Sequence, residues 1–98
     1  EQRRIARMAE EFGVGFVGHG WNTAVGLAAD LQMAAALPHT ELVEFIGGSA
    51  YVDGIVAEPF SLDTEGYLEI PERPGLGIAL DRDKLARYTP NPDPLFDT

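Results

Sequence analysis

Residues 13–38, "GVGFVGHGWNTAVGLAADLQMAAALP", decide the fold of this chain, because they join a short apolar segment to a long alanine-rich one. The segment Val14–Gly18 is too short for a helix and is bounded by glycines, which predicts a buried strand. Asn22 or Thr23 can cap a following helix, and Pro38 stops it. The stretch therefore predicts a strand that leads directly into a helix.

The alternation of helix and strand continues on both sides of this stretch. The apolar residues before it recur at helical spacing and predict an amphipathic helix that Gly13 closes: Ile5, Met8, Ala9 and Phe12. After it, Leu42–Ile46 predicts a second strand. Helix, strand, helix and strand with short connections favour parallel strands in an α/β layer or barrel.

Proline and glycine become frequent in the second half of the chain. Residues 59–80 hold three of each, and "GYLEI" at residues 66–70 is a candidate short strand between turns. Asp81 is a suitable N-cap for a short helix, and residues 89–98 read as an extended tail. This tract shows no clear core of its own, so we expect it to pack on another part of the protein.

Composition indicates one small folded domain and excludes several classes of partner. The 98 residues are 45% hydrophobic and 23% charged, which is typical of a globular protein. Sixteen acidic residues against seven basic ones give a net charge of −9, which disfavours nucleic acid and anionic membranes. The absence of cysteine excludes a disulfide framework and favours a cytoplasmic location. No apolar run is long enough to span a bilayer.

Gly13, Gly15 and Gly18 match the pattern G-x-G-x-x-G, which raises the alternative of a nucleotide-binding loop. That loop requires glycines that follow a strand and open a helix, so that the pyrophosphate meets the helix N-terminus. Here the glycines follow a helix and run through the predicted strand. Gly13 fits a helix C-cap better, and the nucleotide hypothesis is disfavoured.

His19 and Glu44 are the candidate catalytic residues. His19 ends the first predicted strand, at the edge where catalytic residues of α/β barrels cluster, and imidazole exchanges protons near neutral pH. Glu44 lies in the middle of an apolar strand, where an acid is costly to bury unless it is paired. If the two strands are adjacent and parallel, both side chains approach the same mouth.

Structural roles remain open for both residues: His19 can simply bond a neighbouring loop, and Glu44 can belong to a buried ion pair. His39 follows Pro38 on the opposite edge and is interpreted as a surface residue. Two histidines placed this way do not make a metal site, so no metal ligand is predicted within the chain.

Three quoted segments resemble the C-terminal part of the mandelate racemase/muconate lactonizing enzyme family of the enolase superfamily. They are "VGFVGHGWNTAVGLAADLQMAAALP", "ELVEF" and "EGYLEIPERPGLGIALDRDKLARY". The most specific of them is "GYLEIPERPGLGIALDRDKL", and the resemblance extends to about Tyr88.

The resemblance implies the C-terminal portion of a (β/α)₇β barrel, a TIM-like α/β fold, that follows an N-terminal capping domain. Residues 1 to about 12 would be the sixth barrel helix, Val14–Gly18 the seventh strand, Asn22–Leu37 the seventh helix and Leu42–Ile46 the eighth strand. Residues 1–55 would thus belong to the barrel, and the Pro/Gly-rich tail, residues 56–98, would return to the capping domain.

The same resemblance implies an enzyme that abstracts a proton α to a carboxylate and stabilises the enediolate on magnesium. His19 matches the seventh-strand histidine that acts as general base or acid. Glu44 matches the eighth-strand glutamate that, in some members, hydrogen-bonds the substrate carboxylate. Trp21 and Asn22, in the loop after His19, are candidate substrate-binding residues. The magnesium ligands of the family lie upstream, so Mg²⁺ would be bound outside these 98 residues.

The leading hypothesis is therefore part of an acid-sugar dehydratase, racemase or epimerase, with dehydration preferred. Its partners would be the remainder of the same polypeptide, a small carboxylate or sugar-acid substrate, and further copies in a homo-oligomer. Because the chain begins with Glu1 inside a predicted helix, we expect the natural polypeptide to extend upstream, and we expect the isolated segment to be inert. The alternative is a truncated or split gene product with a structural or assembly role only.

Overall fold

The computed structural model describes residues 1–90, except for the side chain of Tyr51. The described part of the chain forms four helices, named here in chain order: α1 (Gln2–Glu11), α2 (Ala24–Ala35), α3 (Ala50–Asp53) and α4 (Arg82–Ala86). The helices predicted in the first and second segments and after Asp81 are confirmed, whereas α3 was not predicted. The predicted extended tail lies, from residue 91 onward, outside the described residues.

Gly13 ends α1 in the way its position predicts. Its φ of 66° lies in the left-handed region, which glycine enters without the steric cost that a side chain imposes. The N–H of Gly13 donates to the carbonyl of Glu10 at 3.0 Å, and that of Val14 donates to the carbonyl of Ala9 at 2.8 Å. The first bond satisfies a carbonyl that the helix end would otherwise leave unpaired, and the second joins the bond at 3.1 Å that the N–H of Phe12 donates to the same Ala9 carbonyl.

Helix α2 lies at the centre of the hydrophobic core. Its apolar side chains pack with those of α3 and of the segment that follows it, and together they form one buried cluster: Ala24, Leu27, Leu31, Val52, Ile55 and Val56. Leu27 and Val56 are the largest side chains that are almost completely buried.

The first part of the tail, residues 56–90, folds back onto α2. Val56 forms an isolated antiparallel bridge with Leu80, and the Lys84 ammonium donates to the carbonyl of Val56 at 2.8 Å. Gln32 on α2 donates from its side-chain amide to the carbonyl of Pro71 at 2.7 Å. The tail thus packs on α2, and the predicted return to a capping domain and the division at residues 55/56 stay predictions.

The short helix α4 begins as its sequence predicts. Asp81 is the N-cap, and its carboxylate accepts a hydrogen bond from the backbone N–H of Lys84 at 3.0 Å. This bond satisfies one of the free N–H groups at the helix start, where a negative charge is also favourable. Leu85 on the same helix packs against the core around α2.

The apolar face predicted for α1 is present but is not covered by the described residues. Met8 is 53% exposed, Phe12 is 78% exposed and Ile5 is half exposed, whereas Ala6 on a neighbouring face is buried. The helix instead lies against the loop after α2, where His39 Nε2 is 3.4 Å from Glu10 Oε1. Helical spacing identified the apolar face correctly, but residues 1–90 do not bury it.

The three predicted strands do not form as strands in the described part of the chain. Val14–Gly18 and Leu42–Ile46 lie side by side without helix, turn or backbone hydrogen bonds between them, and residues 66–70 contribute only the bridge of Leu68 with Leu62. Parallel strands gain their stability as members of a larger sheet, and a single pair is marginal. These strand predictions are therefore not confirmed, because residues 1–90 place no further strand beside the two candidate segments.

No helix in residues 1–90 is long and apolar enough to cross a membrane.

Candidate active site

The loop after Val14–Gly18 places the candidate histidine directly before α2. The backbone N–H of Asn22 donates to the carbonyl of Gly20 at 2.8 Å, and the side-chain amide of Asn22 donates to the carbonyl of His19 at 3.1 Å. A Cβ at Gly26 would overlap the side chain of Asn22, so glycine there leaves room for it beside the first turn of α2. These contacts fix the loop that carries His19.

The structure brings His19 and Glu44 together. Nδ1 of His19 lies 3.0 Å from Oε2 of Glu44, although 25 residues separate them in sequence. The His19 side chain is 80% exposed and that of Glu44 is 43% exposed, so the pair lies at the surface of the described residues. The juxtaposition expected from adjacent strand ends is present, even though the strands themselves are not.

Glu44 has a second partner in the same loop. The backbone N–H of Gly20 donates to Oε2 of Glu44 at 2.6 Å, so the N–H and the imidazole meet one carboxylate oxygen. An ionised carboxylate only accepts hydrogen bonds, and bonds to a charged acceptor are stronger than bonds between neutral groups. The contact therefore requires the proton of neutral His19 to be on Nδ1, which leaves Nε2 with a free lone pair.

The other residues singled out from the sequence lie in two places. Trp21 follows Gly20 in the same loop and is 68% exposed, and Asn22 is also exposed and bonds the backbone of His19. Their substrate-binding roles stay predictions. His39 pairs with Glu10 away from this loop, as expected for a surface residue.

The described residues do not fit a magnesium site. Within residues 1–90, no three His, Asp or Glu side chains converge so that they could hold a metal ion. Oxygen-rich ligand sets of several carboxylates and carbonyls are what Mg²⁺ requires. Glu44 alone does not provide one, so no chemical step is assigned here to a metal.

A cavity of about 630 Å³ lies in the tail, away from His19 and Glu44. Its rim includes Glu58 and Arg73, whose side chains form an exposed ion pair at 3.0 Å. Volume alone would select this cavity as the site. The chemistry favours the loop of His19 instead, because the acid–base pair is there.

The sequence reasoning missed two residues near the site. Gly20 was not singled out from the sequence, although its N–H donates to Glu44 Oε2 and a side chain at position 20 would meet the backbone of Glu44. Asp30 is a buried acid on α2, only 8% exposed, whose Oδ2 has no hydrogen-bond partner among the described residues. The signal in the sequence that could have identified Asp30 is its position as an acidic residue within an alanine-rich helix.

Comparison with known proteins identifies the family. Residues 1–84 match the family model described as "Enolase C-terminal domain-like". The chain belongs to this family. The match confirms the enolase-superfamily membership that the sequence motifs indicated, and it covers both the loop of His19 and the segment of Glu44.

Two curated relatives in the enolase superfamily match almost the whole chain. D-xylonate dehydratase of Haloferax volcanii is 32% identical over 97 residues, which are 99% of this chain and 24% of that protein. D-galactarolactone cycloisomerase of Agrobacterium fabrum is 35% identical over 103 residues, covering 96% of this chain and 27% of that protein. The chain therefore spans about a quarter of the length of the curated relatives that it matches.

A solved structure supports the same fold. A "predicted Mandelate racemase" from Rhodobacter sphaeroides superposes with a TM-score of 0.71 and 30% identity, over 88% of this chain and 22% of that one. The described residues are thus similar in arrangement to part of an enolase-type barrel enzyme, and the α/β class is confirmed at that level. The details of the strands and of the tail are not confirmed by this similarity.

Proposed function

We propose that this chain is the histidine-bearing part of a magnesium-dependent acid-sugar dehydratase, racemase or epimerase, with His19 as the residue that moves the proton. The observation that carries the proposal is the 3.0 Å contact between His19 Nδ1 and Glu44 Oε2. The similarity to D-xylonate dehydratase over 99% of the chain supports the substrate class. The remainder of the same polypeptide would supply the magnesium ligands.

The geometry gives each residue of the pair a distinct task. Because the Glu44 carboxylate accepts from Nδ1, the free Nε2 of His19 is the nitrogen that can take a proton from the carbon α to a substrate carboxylate. The Glu44 charge then stabilises the imidazolium that forms. The high exposure of His19 leaves Nε2 accessible to a substrate. The substrate-carboxylate contact that the family resemblance implies for Glu44 is a further part of the proposal.

Dehydration is the preferred reaction. The proton that His19 takes from Cα can be given to a hydroxyl on the neighbouring carbon, so that the C–O bond breaks and the group leaves as water. In epimerisation the Cα proton is instead replaced on the opposite face, which requires a second acid. Dehydration needs a single proton-carrying residue, and His19 beside Glu44 provides one.

The decisive experiment replaces His19 by asparagine in the polypeptide that contains the whole barrel. We expect turnover of acid sugars to fall about 10²–10⁴-fold, the usual contribution of a positioned acid–base group, while magnesium affinity is retained. The matched control is His39→Asn, which removes the other histidine and should leave turnover unchanged. Unchanged turnover in His19→Asn would remove His19 from the mechanism.

The 98-residue chain on its own should show no turnover, because the described residues contain no magnesium site. Purified chain, magnesium and a panel of sugar acids are sufficient for this assay. Any turnover that depends on His19 would contradict the assignment of the metal ligands to another part of the polypeptide.

A second candidate function belongs to a different class: a structural or assembly role without catalysis. The exposed apolar residues of α1, among them Met8 and Phe12, favour it, because a contiguous apolar face is typical of an interaction surface. Mass measurement by light scattering distinguishes the candidates. A catalytic barrel requires a polypeptide several times longer than 98 residues, whereas the assembly role predicts complexes of this short chain.

A further inference from the structure

Gly20 differs from the residues on either side of it. It is buried, whereas His19 and Trp21 are exposed. Its backbone N–H makes the short 2.6 Å bond to Oε2 of Glu44, the same oxygen that His19 approaches. Two donors from consecutive residues therefore fix one carboxylate oxygen.

Position 20 has no room for a side chain. A Cβ there would overlap the carbonyl oxygen of Glu44 and would lie 2.9 Å from its carbonyl carbon and 3.0 Å from its Cβ. The obstacle is backbone, which cannot move aside as the end of a long side chain can. Gly20 is also not among the glycines with positive φ, so its backbone conformation is open to other residues. Close approach to Glu44, and not conformation, is what requires glycine.

Other glycines of the same segment carry no such requirement. A Cβ on Gly15 would meet nothing within 4 Å, and one on Gly18 would only touch the carboxylate of Asp30 at 3.6–3.8 Å, an ordinary contact distance. Neither glycine has a positive φ. Gly15→Ala is therefore the control for Gly20→Ala. It adds the same methyl group in the same segment but displaces no neighbouring atom.

We propose that Gly20 is a positioning residue for His19: its N–H and its missing side chain hold the Glu44 carboxylate where it selects the Nδ1–H tautomer of the imidazole. Without Gly20, the half-exposed Glu44 side chain would be free to rotate away from His19. The role rests on the proposed function, in which the free Nε2 exchanges the proton of the substrate. The contact itself is a property of this chain.

The test is nitrogen NMR of the labelled 98-residue chain, at a pH where imidazole is neutral. Imidazole ¹⁵N shifts report the ratio of the Nδ1–H to the Nε2–H tautomer of His19. We expect Gly20→Ala to lower this ratio by about two- to fivefold, the size expected for loss of an exposed charged contact, while Gly15→Ala leaves it unchanged. Equal ratios in the two variants would overturn the proposal.

A second variant covers the case in which Gly20→Ala does not fold. Glu44→Gln keeps the shape of the side chain and removes its charge, so the amide proton of Gly20 should move upfield and the tautomer ratio should fall. An unmoved Gly20 amide would show that the 2.6 Å bond is absent in solution and would also overturn the proposal. If Gly20→Ala lowers the tautomer ratio of His19 but the whole enzyme shows no turnover of acid sugars, the proposed function is contradicted and the positioning role of Gly20 stands.

Discussion

Helices α1 and α2 have similar length but opposite surroundings. The sequence of α1 separates apolar from charged faces clearly, yet Met8 and Phe12 remain more than half exposed. The alanine-rich α2 shows much weaker separation, yet Leu27 and Leu31 are almost fully buried. Amphipathic spacing therefore indicates which face of a helix is suited to a partner, and not whether this stretch of chain supplies the partner.

The largest expected effect in this comparison is the loss of a core side chain from α2. Leu27→Ala should lower the free energy of unfolding by about 2–4 kcal/mol, because it removes buried methyl groups and leaves a cavity. Urea denaturation followed by circular dichroism measures it. Val25→Ala on the same helix, where the side chain is 38% exposed, is the control and should cost less than about 1 kcal/mol. Equal costs would mean that α2 is not the centre of the core.

A smaller effect of opposite sign is expected at Asp30, the one charged residue of the α2 core face. Its Oδ2 is buried without a hydrogen-bond partner among the described residues, which costs free energy in the folded state. Asp30→Ala should raise the free energy of unfolding by about 1 kcal/mol, aided by the high helix propensity of alanine. Asp30→Asn keeps a buried polar group and should not give this gain. Destabilisation by Asp30→Ala would show that the carboxylate has a partner in solution.

The smallest effect is expected on the exposed face of α1. Met8→Gln should change the free energy of unfolding by less than about 0.5 kcal/mol, because the side chain is already half in water. It should, however, reduce binding of a dye that reports exposed apolar surface. Leu31→Gln is the contrasting variant on α2 and should lower the free energy of unfolding by an amount comparable to that of Leu27→Ala, because the Leu31 side chain is buried. A large cost for Met8→Gln would indicate that α1 buries this face, for example between copies of the chain.

Local signals in the sequence predicted the helices and their ends well. Gly13 closes α1 and Asp81 caps α4, because each of these residues acts through bonds within a few positions of itself. The strands could not be predicted with the same success. A strand depends on neighbours that can lie anywhere in the polypeptide, and within the described residues no backbone hydrogen bond joins Val14–Gly18 to Leu42–Ile46.

In the candidate site, too, residues with a local signal were predicted and a residue that depends on a distant contact was not. His19 was found from its position at the end of a predicted strand and Glu44 as an acid in the middle of an apolar one, and they meet at 3.0 Å. Gly20 was missed because its importance comes from the backbone of a residue 24 positions away. No local pattern reports such a contact. The four-residue helix α3 was missed for a related reason, since so short a helix depends on packing against α2.

The packing of the tail on α2 also sets an order of events during synthesis on the ribosome. Leu27 belongs to the same cluster as Ile78 and Leu85, and Gln32 bonds the carbonyl of a residue 39 positions later. Such contacts form only after a long loop has closed. Newly made α2 is therefore covered first by the segment from Val52 to Val56 and completely only after the segment around Leu85 has emerged. This interval is when the nascent chain is most exposed to chaperones and to aggregation.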